Sequence, residues 1–208
     1  KYQFKPSLPF VPGSEWAGVV QSLGEGVSHL KVGQSVACLS GTGGFATHTV
    51  AKADQCVPLP PNFPAVDAAA FIMIYATSHH ALVDRAQLRT GETVLVLGAA
   101  GGVGSIVSQL AANVVGCEVI GIAGGAEKCA LILEQACAAA IDYKKDNLSE
   151  RLTALCPQGI DCYFDNVGGQ TLSTVLDHLA LRARIVLCGS ISEYALEQPF
   201  ALPNYTRL

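Results

Sequence analysis

The sequence predicts an α/β protein: a doubly wound parallel sheet of the Rossmann kind, preceded by a smaller β-rich unit. Three observations carry this reading. From Glu92 onward, apolar strand-like runs alternate with amphipathic helix-like ones. One strand-to-helix junction is a glycine cluster, Gly98-Ala99-Ala100-Gly101-Gly102-Val103-Gly104. Before Pro58 the pattern differs, with short β-like runs punctuated by glycine.

In the N-terminal part, residues 17–22, 35–39 and 45–50 read as strands, with turns at Gly24-Glu25-Gly26 and at residues 41–44. The proline-rich bend at 58–64 ends this unit. Residues 65–86 then show helical periodicity without proline or glycine, predicting one or two helices. Beyond Glu92 the expected strands are 93–97, 118–123, 139–142, 161–164 and 184–187. Between them helices are expected at 105–114, 127–137, 148–155 and 170–180. Strands separated by helices pair in parallel, because each crossover returns the chain to the same end of the sheet.

Composition narrows the function classes. The chain has 208 residues, half of them apolar and 14% charged, with a net charge of −4. That balance offers nothing to a polyanion or an anionic membrane surface, so neither nucleic acid nor membrane is the expected partner. The apolar stretch 65–83 is broken by Asp67, His79 and His80 and gives no uninterrupted span. Residues 1–12 lack the charged-then-apolar order of a secretion signal, so a cytoplasmic location is expected. The eight cysteines contain no C-x-x-C pair and read as reduced, mostly buried thiols.

The glycine cluster points to a dinucleotide. The spacing is A-x-G-x-x-G at Ala99, Gly101 and Gly104. At Gly101 the backbone can approach a pyrophosphate with no side chain in the way, and Gly104 allows close helix–strand packing. The helix N-terminus that follows supplies free N–H groups and a positive dipole end. An NAD site carries an acid about 20 residues further on, to hold the ribose 2′-OH. Here that position is Gly124, followed by Gly125, with Lys128 one turn later. A lysine there can meet a 2′-phosphate as a point charge, so NADPH is favoured over NADH. Taken alone, Lys128 would read as a solvated helix residue answering Glu127 and Glu134.

The sequence resembles the medium-chain dehydrogenase/reductase superfamily, within it the zinc-independent quinone oxidoreductases and the NADP-dependent alkenal and prostaglandin reductases. Leu8-Pro9-Phe10-Val11-Pro12-Gly13-Ser14-Glu15, Ala81-Leu82-Val83-Asp84-Arg85-Ala86 and the glycine turn are similar to the quinone oxidoreductases. Phe164-Asp165-Asn166-Val167-Gly168-Gly169 and Cys188-Gly189-Ser190-Ile191-Ser192-Glu193-Tyr194 are similar to the alkenal and prostaglandin reductases. The resemblance implies a partial GroES-like domain at 1–83, a Rossmann NADPH-binding domain at 84–195 and the start of a return segment at 196–208. Relatives run longer at both ends, and where they have a Leu-Gly-Ala/Cys-Asp turn this chain has Gln135-Ala136-Cys137-Ala138-Ala139. By the same resemblance Gly101, Gly102, Val103 and Gly104 lie under the pyrophosphate, Lys128 and Tyr143 hold the 2′-phosphate, for which the spacing leaves room at Gly124, and Asn166 touches the ribose. Cys188, Gly189, Ser190, Ile191, Ser192 and Tyr194 line the nicotinamide end, with Thr77 at its edge. For Tyr143 a half-buried aromatic at a strand end is an equal reading, and for Thr77 helix packing is close behind. A homodimer is expected.

No metal is expected. Zinc-dependent relatives have Gly-His-Glu where this chain has Gly13-Ser14-Glu15, and serine is a poor zinc ligand. His79 and His80 are adjacent, so on a helix they point about 100° apart. Without a metal, the acceptor needs a conjugated carbonyl that can take incoming charge onto oxygen, as enones and quinones do. Tyr194 is the candidate to bind that oxygen or pass it a proton, against the alternative that it only packs its loop. The rival readings are a non-catalytic, crystallin-like NADPH-binding protein and a zinc alcohol dehydrogenase, the latter disfavoured by Ser14.

Overall fold

The computed structural model describes residues 5–198 and 200–207 and divides between Thr77 and Ser78 into two units. In the N-terminal unit, β1 (Glu15–Val19), β2 (Ser35–Leu39) and β3 (Cys56–Pro58) form an antiparallel sheet in the order β1-β2-β3. The strand expected at 17–22 thus starts and ends earlier, although Val20 still exchanges hydrogen bonds with Gln34 and Gly33. The central strand buries Val36, Ala37 and Cys38.

The strand expected at 45–50 does not form, and Cys56–Pro58 pairs with β2 in its place. Both edges of β2 are taken by β1 and β3, so residues 45–50 have no place beside it. Instead, Gly43, Gly44 and Phe45 donate to the carbonyls of Val11, Gly13 and Pro12, leaving Phe45 77% and Val50 100% exposed. The helical stretch is two helices as expected, α1 (Ala65–Ala68) and α2 (Phe71–His79), the second followed by a π-helical turn, His80–Arg85. Stacking of Phe71 on Tyr75 one turn later, at 4.2 Å between centroids, supports α2, and the Met73 amide donates to Glu15 Oε1 at 2.7 Å.

The C-terminal unit is a five-stranded parallel sheet, β4 (Thr93–Leu97), β5 (Glu118–Ala123), β6 (Ala139–Asp142), β7 (Ile160–Asp165) and β8 (Leu179–Leu187), in the order β6-β5-β4-β7-β8. The connecting helices are α3 (Gly102–Gln109, continued as a π-helical turn to Val115), α4 (Ala126–Gln135), α5 (Leu148–Leu155) and α6 (Gly169–Leu176). Val94 and Val96 of β4 join one core cluster and Leu95 and Leu97 the other, so alternate residues bury both faces of the sheet.

Two boundaries differ in ways that matter. α3 opens at Gly102, not Ser105, so the last glycines of the cluster are already its first turn. α6 stops at Leu176, and Leu179 and Ala180, expected in the helix, begin β8. The tight turn made by Asp177 and His178, whose amides bond back to Thr174 and Val175, ends the helix, and Leu179 pairs with Ile160. An apolar Leu-Ala-Leu run suits either element, so the turn decided. The register then jumps, with Cys162 opposite Arg184; residues 180–183 bulge, Arg182 takes φ 65° and Leu181 is 94% exposed.

Candidate functional site

The chain runs from β4 outward to β5 and β6, then returns to place β7 on the other side of β4. The carboxyl ends of β4 and β7 therefore flank a topological switch point, where open α/β sheets hold ligands. The glycine turn follows β4. Gly98 takes φ 73°, and the amides of Gly98 and Ala99 both donate to the Ile122 carbonyl, fixing the turn onto β5. Gly101 caps α3 with no side-chain hydrogen bond, and Ser105 N is the amide that returns to Gly101 O, at 2.9 Å. The amides of Gly102, Val103 and Gly104 precede that bond and form the helix's N-terminal donor set. A Cβ on Gly104 would lie 2.3 Å from Gly98 O, so only glycine lets this helix sit so close to the turn. Gly101 is exposed, and a Cβ there would meet Gly98 O at 3.2 Å.

At the end of β5 the site is equally constrained. The Tyr143 ring lies across Gly124, and a Cβ on Gly124 would fall 2.7 Å from the Tyr143 hydroxyl oxygen. The Tyr143 ring would have to move for any side chain to stand at Gly124, the position where an NAD site carries its acid. Tyr143 is 57% exposed, with its ring against Gly124. Lys128 lies in the first turn of α4, exposed, and lines a concavity of about 460 Å³ together with Ala100 of the glycine turn. The carboxylate of Asp142, at the end of β6, is spent on backbone: its Oδ1 accepts from Gly125 N at 2.8 Å and Lys144 N at 3.1 Å. The Gly125 hydrogen bond chiefly holds its pKa below the usual carboxylate value, against the opposing effect of burial.

The loops after β7 and β8 are stitched together. Ile191 N donates to Asn166 O, and both Ser192 N and Ser192 Oγ to Val167 O. Glu193 accepts from Gly169 N and Phe200 N. Gly189 lies against Asn166 and Tyr194: a Cβ there would be 3.1 Å from Asn166 Oδ1 and 3.4 Å from the Tyr194 hydroxyl, which also accepts from Ser190 N. Beneath them Asp165, fully buried, accepts from Val167 N and Gly168 N, both at 2.8 Å.

Most residues singled out in the sequence thus gather at one edge of the C-terminal unit: Gly101 to Gly104 after β4, Gly124 and Lys128 after β5, Tyr143 after β6, Asn166 after β7, and Cys188 to Tyr194 after β8. Thr77 belongs to the N-terminal unit. Ser14 Oγ donates to Gly41 O at 3.0 Å. Among the described residues there is no group of three or more His, Cys, Asp and Glu side chains able to hold a metal ion. Sequence reasoning missed Asp142, Asp165 and Glu193, the carboxylates that hold the site's turns. Asp142 and Asp165 each close a strand just before a loop, a signal that could have marked them.

Residues 102–206 match the zinc-binding dehydrogenase family and residues 1–61 the alcohol dehydrogenase GroES-like domain. The chain belongs to the medium-chain dehydrogenase/reductase superfamily. Within that superfamily it is 37% identical over 203 residues to a probable quinone oxidoreductase of Leishmania amazonensis, covering 95% of this chain and 58% of the relative. It is 38% identical over 157 residues to prostaglandin reductase 1 of Rattus norvegicus, covering 73% of this chain and 47% of that protein. Two solved structures are similar: a mycobacterial protein complexed with NADPH (TM-score 0.87, 31% identity, 99% of this chain and 63% of that one), and the Escherichia coli quinone oxidoreductase complexed with NADPH (TM-score 0.81, 30% identity, 90% and 59%). The chain spans less than two thirds of the length of each of these superfamily members.

Proposed function

We propose that this chain carries the cofactor-binding core of an NADPH-dependent oxidoreductase that reduces quinones, or the C=C bond of α,β-unsaturated carbonyls, without zinc. The observation that carries the reading is the end of β5, where Gly124 rather than an acid lies against the Tyr143 ring while Lys128 stands exposed one turn on. A site so built has no acid for a ribose 2′-OH and a cation for a 2′-phosphate. The NADPH complexes of two similar structures support the same cofactor.

The residues present fit the group. The amides of Gly102, Val103 and Gly104 would hold its pyrophosphate, Lys128 and Tyr143 its 2′-phosphate, and Asn166 its ribose. The loop Cys188 to Tyr194 would border the nicotinamide end, with Thr77 assigned to that end by resemblance alone. Bound there, NADPH supplies a hydride. The Tyr194 hydroxyl would bind the acceptor's carbonyl oxygen and provide a hydrogen bond to the charge that develops on it. A zinc-free reaction is supported by the donor set, since Ser14 stands where a histidine ligand would and its hydroxyl is turned to Gly41 O. A homodimer in the cytosol, acting on a small-molecule enone or quinone, completes the reading.

Fluorescence titration with NADPH and NADH tests the cofactor, and NADPH oxidation with an enone or a quinone then tests the reaction. Lys128→Ala should weaken NADPH about tenfold, the worth of one charge-assisted contact, and leave NADH unchanged. Equal affinity of the unaltered protein for both cofactors would overturn the 2′-phosphate assignment. Tight NADPH binding without oxidation by either acceptor would favour a non-catalytic NADPH-binding protein.

A further inference from the structure

Cys38 and Cys56 face each other across the β2–β3 pair. In an antiparallel ladder, opposite residues share a face and alternate between hydrogen-bonded and non-hydrogen-bonded pairs, the latter with closer side chains. The neighbouring rungs show which kind this is. Leu59 N donates to Ser35 O at 3.0 Å, which makes that rung a hydrogen-bonded pair. The register then runs through Val36–Pro58 and Ala37–Val57 to Cys38–Cys56, three rungs on and therefore non-hydrogen-bonded. Pro58, which has no N–H to donate, falls on a rung of the same kind. On the opposite side of β2, Ser40 N donates to Ser14 O at 2.9 Å, so Cys38 directs its backbone bonds toward β1.

Opposite residues of the non-hydrogen-bonded kind have Cα atoms about 4.5 Å apart. That falls inside the range of about 4.4–6.8 Å over which a disulfide closes without moving the backbone. The two thiols are within hydrogen-bonding reach of each other, and Cys56 Sγ also donates to Lys52 O at 3.6 Å. All eight cysteines are free thiols in this structure.

We propose that Cys38 and Cys56 are a redox modification site that closes to a reversible cross-strand disulfide when the protein meets a hydroperoxide. The two sulfurs have different parts. Cys38 is fully buried, and burial, then its thiol neighbour, pushes it up to about 12, so it is not the first to react. Cys56 is half-buried and open to a small oxidant. Its sulfur attacks the hydroperoxide; the O–O bond breaks, giving the sulfenic acid of Cys56 and an alcohol, or water when the oxidant is hydrogen peroxide. The Cys38 sulfur then attacks the Cys56 sulfur, the S–S bond forms, the S–O bond breaks, and hydroxide leaves with the Cys38 proton as water. Two thiols are oxidised and one hydroperoxide is reduced. The closed ring includes the loop whose Gly43, Gly44 and Phe45 amides bond to residues 11–13, so oxidation tethers that loop at both ends.

The test treats the whole folded chain with hydrogen peroxide, blocks remaining thiols with iodoacetamide and maps peptides without reduction. The expected result is a peptide joining Cys38 to Cys56, lighter by two hydrogens, formed with an unchanged far-ultraviolet circular dichroism spectrum and lost on treatment with dithiothreitol. Cys56→Ser should abolish it and leave Cys38 alkylated only after denaturation. The proposal is overturned if Cys56 ends as a sulfinic or sulfonic acid without the cross-link, or if both cysteines remain reduced while others oxidise. It is equally overturned if the link forms only in denatured protein.

Discussion

Gly104 shows how one missing side chain can hold a site. Its Cβ position lies 2.3 Å from a backbone oxygen, which cannot swing aside as a flexible side chain would. Gly104→Ala should therefore cost about 1–3 kcal/mol of stability, measured by urea unfolding, and abolish NADPH binding; a variant as stable as the parent would mean that the turn opens freely. Asp165 makes the opposite case, a carboxyl kept where its charge is costly. Burial dominates and raises its pKa, while Val167 N, Gly168 N and the Tyr163 hydroxyl favour the charged form. Because the folded pKa lies above the unfolded value of about 3.9, the folded state loses stability as pH rises through the folded pKa. Asp165→Asn keeps an oxygen for both amides and does not titrate. Its melting temperature should gain on that of the parent as pH rises from about 4 toward neutrality; parallel curves for the two proteins would contradict this.

At the scale of elements, a single arginine ties β8 to its surroundings. Arg184 donates to the carbonyls of Ala86 and Asp161 and pairs with Glu92, joining β8 to the chain just before β4 and to the start of β7. Both partners are partly buried, with side chains 30% and 17% exposed. Arg184→Ala would leave Glu92 without its cation, at a cost of about 2–3 kcal/mol by chemical denaturation. Arg184→Lys should recover only part of that, because a point charge cannot reach three acceptors in different directions. In the N-terminal sheet residues 56–58, not 45–50, lie beside β2, while the amides of Gly43, Gly44 and Phe45 bond to residues 11–13.

For the molecule as a whole, cofactor binding and stability are linked. A ligand held only by the folded state at a hundred times its dissociation constant adds about 2.7 kcal/mol. For a chain of this size that is a rise of roughly 5–10 °C in melting temperature. NADPH should produce such a rise in a thermal melt, NADH at the same concentration should produce less, and Lys128→Ala should bring the two together.

What the sequence determined by itself was whatever depends on neighbours along the chain. The alternation of strands and helices after Glu92, the spacing of Gly101 and Gly104, and the missing acid at Gly124 are local patterns. They specified the parallel sheet and the place of the glycine turn, and they are the basis of the cofactor proposed above. Tertiary structure decided what depends on residues far apart in sequence. Asp142 was legible as the end of a strand, but its bond to Gly125 exists because β6 pairs with β5 and brings Ala123 opposite Asp142. Glu193 reaches Gly169 because two loops lie at the same sheet edge. The facing of Cys38 and Cys56 needed the register of β2 against β3. Backbone pairing sets such contacts through hydrogen bonds that any residue except proline can donate, so side-chain identity carries little record of them.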